Sequence, residues 1–144
     1  MMGAVEFFEP MRIPLATHNA LVAHVSADGR PGIHKKAELL RAEGAWESHL
    51  GRHAPEHPFA GPVAVSLAIC RPTDGKRAQG EPCTSKPDID NGEKTILDVM
   101  AHAGYFLDDA QVVDLHACKM WSDPQGIWVR VEELPETEQD GPAE

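Results

Sequence analysis

The chain has 144 residues, of which 42% are hydrophobic and 25% charged, and its formal net charge is -10. That is one ordinary domain's worth of chain with enough apolar content for a core; it excludes a two-domain enzyme, a wholly disordered chain and, since no apolar run approaches the roughly 20 residues a bilayer needs, a membrane-spanning helix. Most of the negative excess lies at the end, where EELPETEQDGPAE from Glu132 onward holds six acids and no Lys or Arg, leaving 17 acids against 13 bases elsewhere.

The start, MMGAVEFFEPMRIP, has acids and a proline where a signal peptide needs a basic start and an apolar core, so a soluble, cytoplasmic protein is expected. The first 30 residues look irregular, with room for one strand among Val5, Phe7, Phe8, Met11, Ile13 and Leu15. From Ile33 to Leu50, the residues Ile33, Ala37, Leu40, Trp46 and Leu50 recur near helical spacing, with Lys35, Lys36, Arg41 and Glu47 left for the outer face; Gly51 ends this helix. After the turn-rich HAPEHPFAGP, Val63, Val65, Leu67 and Ile69 alternate with Ala64, Ser66, Ala68 and Cys70, the period of a strand.

Three prolines and two glycines make Arg71 to Pro87 a long exposed loop. Asp90 is then placed to cap a helix with Glu93 at its third position, and Ile96, Leu97, Met100 and Ala103 form its apolar stripe before Gly104. Strands are predicted over Val112 to Trp121 and Ile127 to Glu133, joined by SDPQG as a hairpin. Cys70, Cys83 and Cys118 are odd in number, contain no C-x-x-C pair and read as reduced, mostly buried thiols. The fold expected is α+β: a single domain, residues 1–131, with a mixed β-sheet flanked by helices, and a disordered acidic tail at 132–144.

The segment KPDIDNGEKTILDVMAHAGYFLDDAQVVD carries the chemistry. Asp88 and Asp90 form a D-x-D whose side chains point the same way if the backbone is extended, and Lys94 lies one helical turn past Asp90. Past Gly104, the pair Asp108 and Asp109 can return beside the first. Convergent carboxylates repel one another unless they hold a divalent ion, and an all-oxygen set suits Mg²⁺ or Mn²⁺. With a lysine nearby the matching reaction is phosphoryl chemistry, in which the metal generates hydroxide and the lysine offsets charge on the phosphorane. Taken singly, each feature has a plainer reading as a cap, a surface ion pair or a turn. An EF-hand loop fails, because the sixth and twelfth positions from Asp88 are Glu93 and Val99 rather than Gly and Glu. An aspartyl-nucleophile phosphatase fits poorly, because TSKP and not an apolar strand precedes Asp88. A D-x-D nucleotide-sugar transferase stays open.

The run KPDIDNGEKTILDVMAHAGYFLDDAQV resembles the RusA family of Holliday junction resolvases, whose signature is P-D-x-D-N, then Lys, a helix, a Gly and D-D-x-Q. The close match covers about thirty residues, with weaker agreement over most of 60–131. The resemblance implies a small homodimeric, Mg²⁺-dependent endodeoxyribonuclease, with Mn²⁺ as a possible substitute. It would act near the nucleoid and nick two strands of a four-way DNA junction symmetrically, leaving 5′-phosphate and 3′-hydroxyl ends. It places metal-binding aspartates at Asp88, Asp90 and Asp109 and an essential lysine at Lys94, with Asp98 and Asp108 in supporting roles. Asn91 matches too, as a helix cap or a ligand, and Gln111 follows the pattern without needing a special function.

The loop before the motif supports DNA binding separately. Arg71, Lys76, Arg77 and Lys86 stand against Asp74 and Glu81, and such a segment can order on a phosphate backbone. Lys35, Lys36 and Arg41 are a second basic candidate. His49, His53 and His57 recur every four residues, but Gly51, Pro55 and Pro58 break any helix that would present them to zinc. Trp46, Trp121 and Trp128 read as core or interface residues. The other functions left open are a nuclease acting on flaps or forks and a branched-DNA-binding module that does not cut.

Overall fold

The computed structural model describes residues 3–16, 21–25, 29 and 31–136. Its elements, in chain order, are β1 (Ala4–Pro10), β2 (Leu21–Val25), β3 (Pro31–Lys35), α1 (Ala37–Leu50), β4 (Val63–Arg71), β5 (Glu81–Pro82), α2 (Ile89–Ala103), β6 (Val112–Trp121) and β7 (Gly126–Glu133). Five strands form a mixed sheet in the order β1-β7-β4-β6-β5, while β2 and β3 form a separate antiparallel pair. Strands β4 and β6 run parallel. Parallel neighbours need a crossover, and α2 supplies it.

The alternation in β4 and β7 decides which face carries the helices. Val63, Val65, Leu67 and Ile69 of β4 and Ile127, Val129 and Val131 of β7 are buried on one side. Trp46 and Leu50 of α1 and Ile96 and Met100 of α2 pack into the same core. The domain is therefore α+β, with both helices on one face of the sheet. On the opposite face, Glu6 of β1 meets Trp128 and Arg130 of β7, with Nε1 of Trp128 donating over 3.1 Å and Arg130 over 3.0 Å.

Three expectations are corrected. The hairpin predicted for the last two strands does not form, because β4 lies between β6 and β7 and pairs with both. The fully buried face of β7 is the reason: a strand with that apolar a face buries more at the sheet centre, between β1 and β4, than at an edge. The first helix starts at Ala37 rather than Ile33, since Pro31–Lys35 pairs with Leu21–Val25 as a strand. Its buried stripe is Leu39, Ala42, Trp46 and Leu50, and Leu40 is 56% exposed. The second helix is preceded by Asp88, not Asp90, and no side chain caps it. Asp90 lies inside the helix, so the expected D-x-x-E capping box with Glu93 is not made, and the Asp88 carboxylate instead accepts from Lys86 at 2.8 Å. Gly104 does close this helix as expected, in the left-handed region at φ 100°, its N–H reaching the Met100 and Ala101 carbonyls.

The loop from Arg71 to Pro87 is more ordered than its composition suggests, with the short β5 within it and Thr73 and Cys83 buried. Cys70 and Cys83 are buried free thiols, as expected, and Cys118 is an exposed one. Trp46 and Trp121 are core residues. The sheet runs through Glu132 and Glu133, past the expected domain end, and Glu132 accepts from Arg130 over 3.2 Å. Residues 137–144 of the acidic tail, and the side chain of Lys35, lie outside the described residues.

His49 and His53 serve a buried carboxylate, while His57 is exposed beside Glu56. Glu9 on β1 is 5% exposed, yet its carboxylate accepts from Nδ1 of His49 at 2.6 Å, Nε2 of His53 at 2.7 Å and Arg52 at 3.1 Å. A carboxylate only accepts, so those ring nitrogens are the protonated ones. His53 also stacks on Phe7, with ring centroids 3.9 Å apart. Nothing in the spacing of the histidines pointed to a buried acid forty residues upstream.

Candidate active site

Asp88 is delivered by a fastened segment. Lys119 of β6 donates from Nζ to the carbonyls of Ser85, at 2.7 Å, and Pro87, at 2.8 Å, and the Arg71 guanidinium donates to the carbonyl of Lys86. The Lys86 ammonium, hydrogen-bonded to Asp88, holds that carboxyl below the usual carboxylate range, with Lys119 and Asn91 adding to the effect.

Along α2, Asp90, Lys94 and Asp98 follow at four-residue spacing on one exposed face. The lysine's ion pairs go forward rather than back. Its Nζ lies 3.4 Å from Asp98 and 3.7 Å from Asp109. Asp98 first, and then Asp109, hold the ammonium protonated above its ordinary range. These groups are too exposed for the pairs to matter much to stability. Their importance is placement, because Asp109 is fifteen residues from Lys94 in sequence.

The second acidic pair is set by a short 3-10 turn, Asp109–Gln111. Asp108 caps it through Oδ1, which accepts from the Ala110 N–H at 2.8 Å. That N–H, and then Asp109, keep the Asp108 carboxyl below its usual range. Gln111 completes a capping box and does more: Oε1 accepts from the N–H groups of Leu107 and Asp108 at 2.7 and 3.0 Å. Its Nε2 donates to the carbonyls of Phe59 and Gly61, each at 2.8 Å. The turn that carries Asp109 is thereby tied to the segment leading into β4. Sequence reasoning gave Gln111 no role; its position three residues after Asp108 was the available signal.

The arrangement does not by itself fit a divalent ion. Among the described residues no three Asp, Glu, His or Cys side chains are grouped so that they could hold one. Asp90 lies in the first helical turn rather than in an extended D-x-D with Asp88. Six residues separate Asp88 from Lys94, about 9 Å along a helix axis. The ammonium groups of Lys86 and Lys94 pair with Asp88 and Asp109, at 2.8 and 3.7 Å. Glu93 is a further acid beside the motif, its carboxyl raised by burial and then by Asp90.

The other basic residues divide. Arg77 stacks its guanidinium 4.7 Å from the ring centroid of Trp121. Gln79 bonds Ser122 at 2.6 Å, holding the loop against the end of β6. Lys76 stays exposed, and Lys86 and Arg71 adjoin Asp88.

Fold and site together define a small α+β protein with an exposed acid and lysine cluster beside a basic loop. A family profile described as Endodeoxyribonuclease RusA matches residues 12–132, and the chain belongs to this family. Among its relatives is YqaN of Bacillus subtilis, an uncharacterised protein, 33% identical over 94 residues that cover 58% of this chain and 66% of YqaN. Another is the crossover junction endodeoxyribonuclease RusA of Escherichia coli K12, 30% identical over 103 residues, 72% of this chain and 69% of that protein. The corresponding enzyme of Enterobacteria phage 82 is 29% identical over the same length. The chain thus spans about two thirds of the curated relatives it matches. No helix among the described residues is long and apolar enough to cross a membrane.

Proposed function

We propose that the chain is a cytoplasmic, nucleoid-associated endodeoxyribonuclease that resolves four-way (Holliday) DNA junctions by paired symmetric nicks, acting as a homodimer. The observation that carries this reading is the meeting of Lys94 with Asp109 across the 3-10 turn, in a chain of the RusA family. Asp88, Asp90, Lys94 and Asp109 are the assigned catalytic residues. Lys94, kept protonated by Asp98 and Asp109, is suited to offset the negative charge that builds on a phosphodiester under attack. Gln111 is a positioning residue, since it fixes the turn that carries Asp109. Two subunits related by a two-fold axis would match the symmetry of the junction.

Mg²⁺, with Mn²⁺ as substitute, is proposed as the cofactor from the chemistry of an all-carboxylate set at Asp88, Asp90 and Asp109. In the observed geometry Lys86 and Lys94 neutralise two of these acids instead.

The test is cleavage of a synthetic four-way junction, a flap and a linear duplex in Mg²⁺ or chelator, by the wild type, Asp90→Asn and Lys94→Ala. Paired nicks confined to the junction, abolished by chelator and reduced about 10²- to 10³-fold in either variant, are expected. Cutting of all three substrates would overturn junction specificity. A folded dimer that binds the junction and never cuts it would replace the enzyme with a binding module.

A further inference from the structure

A cleft that could take a ligand opens beside, but not within, the acidic cluster. It has a volume of about 700 Å³ and is walled by the segment from Arg12 to Ala16, one side of α1 and the end of β4. Three arginines line it, Arg12, Arg41 and Arg71, against a single acidic residue, Glu38. Arg12 and Arg41 are exposed and form no ion pair with any described residue, Glu38 included. Unpaired arginines facing a common hollow repel one another, and an anion removes that cost.

The cleft also offers an uncharged donor. Gln125 uses Oε1 to accept from the Ile13 N–H at 3.2 Å, which leaves its amide NH₂ without a described partner. A planar guanidinium offers paired N–H groups that match phosphate oxygens. A hollow this large, with its cations on separate walls, fits a run of phosphodiester better than one small anion.

The cleft leads towards the acidic cluster. Arg71 stands on its wall and donates to the carbonyl of Lys86, whose ammonium is 2.8 Å from Asp88. A nucleic-acid strand lying in the cleft would therefore continue past Lys86 to Asp88 and α2. We infer that Arg12, Arg41 and Arg71 form a second DNA-backbone site, which holds an arm of the branched substrate beside the strand to be cut. This rests on the junction-nuclease reading above and adds to it where the DNA runs.

The test measures junction affinity in chelator by fluorescence anisotropy from 50 to 200 mM salt, for the wild type, the double variant Arg12→Gln with Arg41→Gln, and Arg130→Ala. Each lost phosphate contact lowers the slope of log affinity on log salt by about 0.9. The wild type should therefore lose about 12-fold more affinity over this fourfold salt range than the double variant does. Arg130 is already paired with Glu6 and Glu132 on the opposite sheet face, so its variant should keep the wild-type slope. An unchanged slope in a folded double variant, with wild-type binding and cutting intact, overturns the cleft and leaves the nuclease reading standing. A fall in slope for Arg130→Ala as large as for the double variant also overturns it, because the effect is then general to surface charge. Failure of the wild type to bind any junction overturns both.

Discussion

Glu9→Gln isolates the charge of a buried carboxylate while keeping its shape. Burial pushes the Glu9 carboxyl up, and His49, His53 and Arg52 more than reverse this, so it ends below its ordinary 4.5. The charge is present at neutral pH, and the substitution turns three charge-assisted contacts into neutral ones or lost ones. Charged hydrogen bonds contribute about 1.5–3 kcal/mol and neutral ones about 0.5–1.5, a loss near 1 kcal/mol for each contact. The Arg52 contact counts for less, since that side chain is 62% exposed and screened. The total is about 2–3 kcal/mol, which at roughly 3 °C per kcal/mol for a chain of this size lowers Tm by about 6–9 °C at pH 7. Because the folded pKa is depressed, the stabilisation is complete above 4.5 and fades as pH falls through the folded value. Thermal melts of both proteins between pH 3 and 8 should show a gap that is full at neutral pH and shrinks below 4.5. A gap absent at pH 7, or constant down to pH 3, would refute the reasoning.

Other substitutions test the fold and the support of the site. Leu39→Ala should cost about 2–5 kcal/mol in chemical denaturation and Leu40→Ala under about 0.5, because only Leu39 is buried; equal losses would contradict this register of α1. Gly126→Ala should destabilise by about 2–3 kcal/mol, since a Cβ there would strike the Glu9 carbonyl oxygen and stand 2.9 Å from the Phe8 ring and 3.0 Å from Pro10 Cα. A melt within 1 °C of wild type, on the order of the scatter of such assays, would show that β1 and β7 are not this close. Gln111→Ala removes four hydrogen bonds and should cost about 2–4 kcal/mol. It should also lower junction cutting at temperatures where the protein stays folded, and Gln111→Glu should not rescue it, because a carboxylate oxygen would face the Phe59 and Gly61 carbonyls; a normal rate in the alanine variant would remove the positioning role.

Chain-local features were legible in the sequence. The alternation of Val63 to Ile69 marks β4, the left-handed Gly104 ends α2, and P-D-x-D-N with Lys94 and D-D-x-Q carries the family likeness, because spacing along one element is fixed by backbone geometry. Where competing partners are distant in sequence, only the tertiary structure decides. Ile33 fits a helical period, yet pairing with Ala23 puts it in a strand. SDPQG looks like a hairpin turn, yet β7 passes over β4 to a position between two strands, which bury its apolar face more fully than an edge would. Histidines at four-residue spacing say nothing of Glu9, and Gln111 next to a strand says nothing of Phe59 and Gly61, because such hydrogen bonds join residues some forty to fifty positions apart. The residue types of the site can be read from the chain, but which carboxylate meets which lysine depends on how α2 and the turn after it return to each other, and that is fixed by packing.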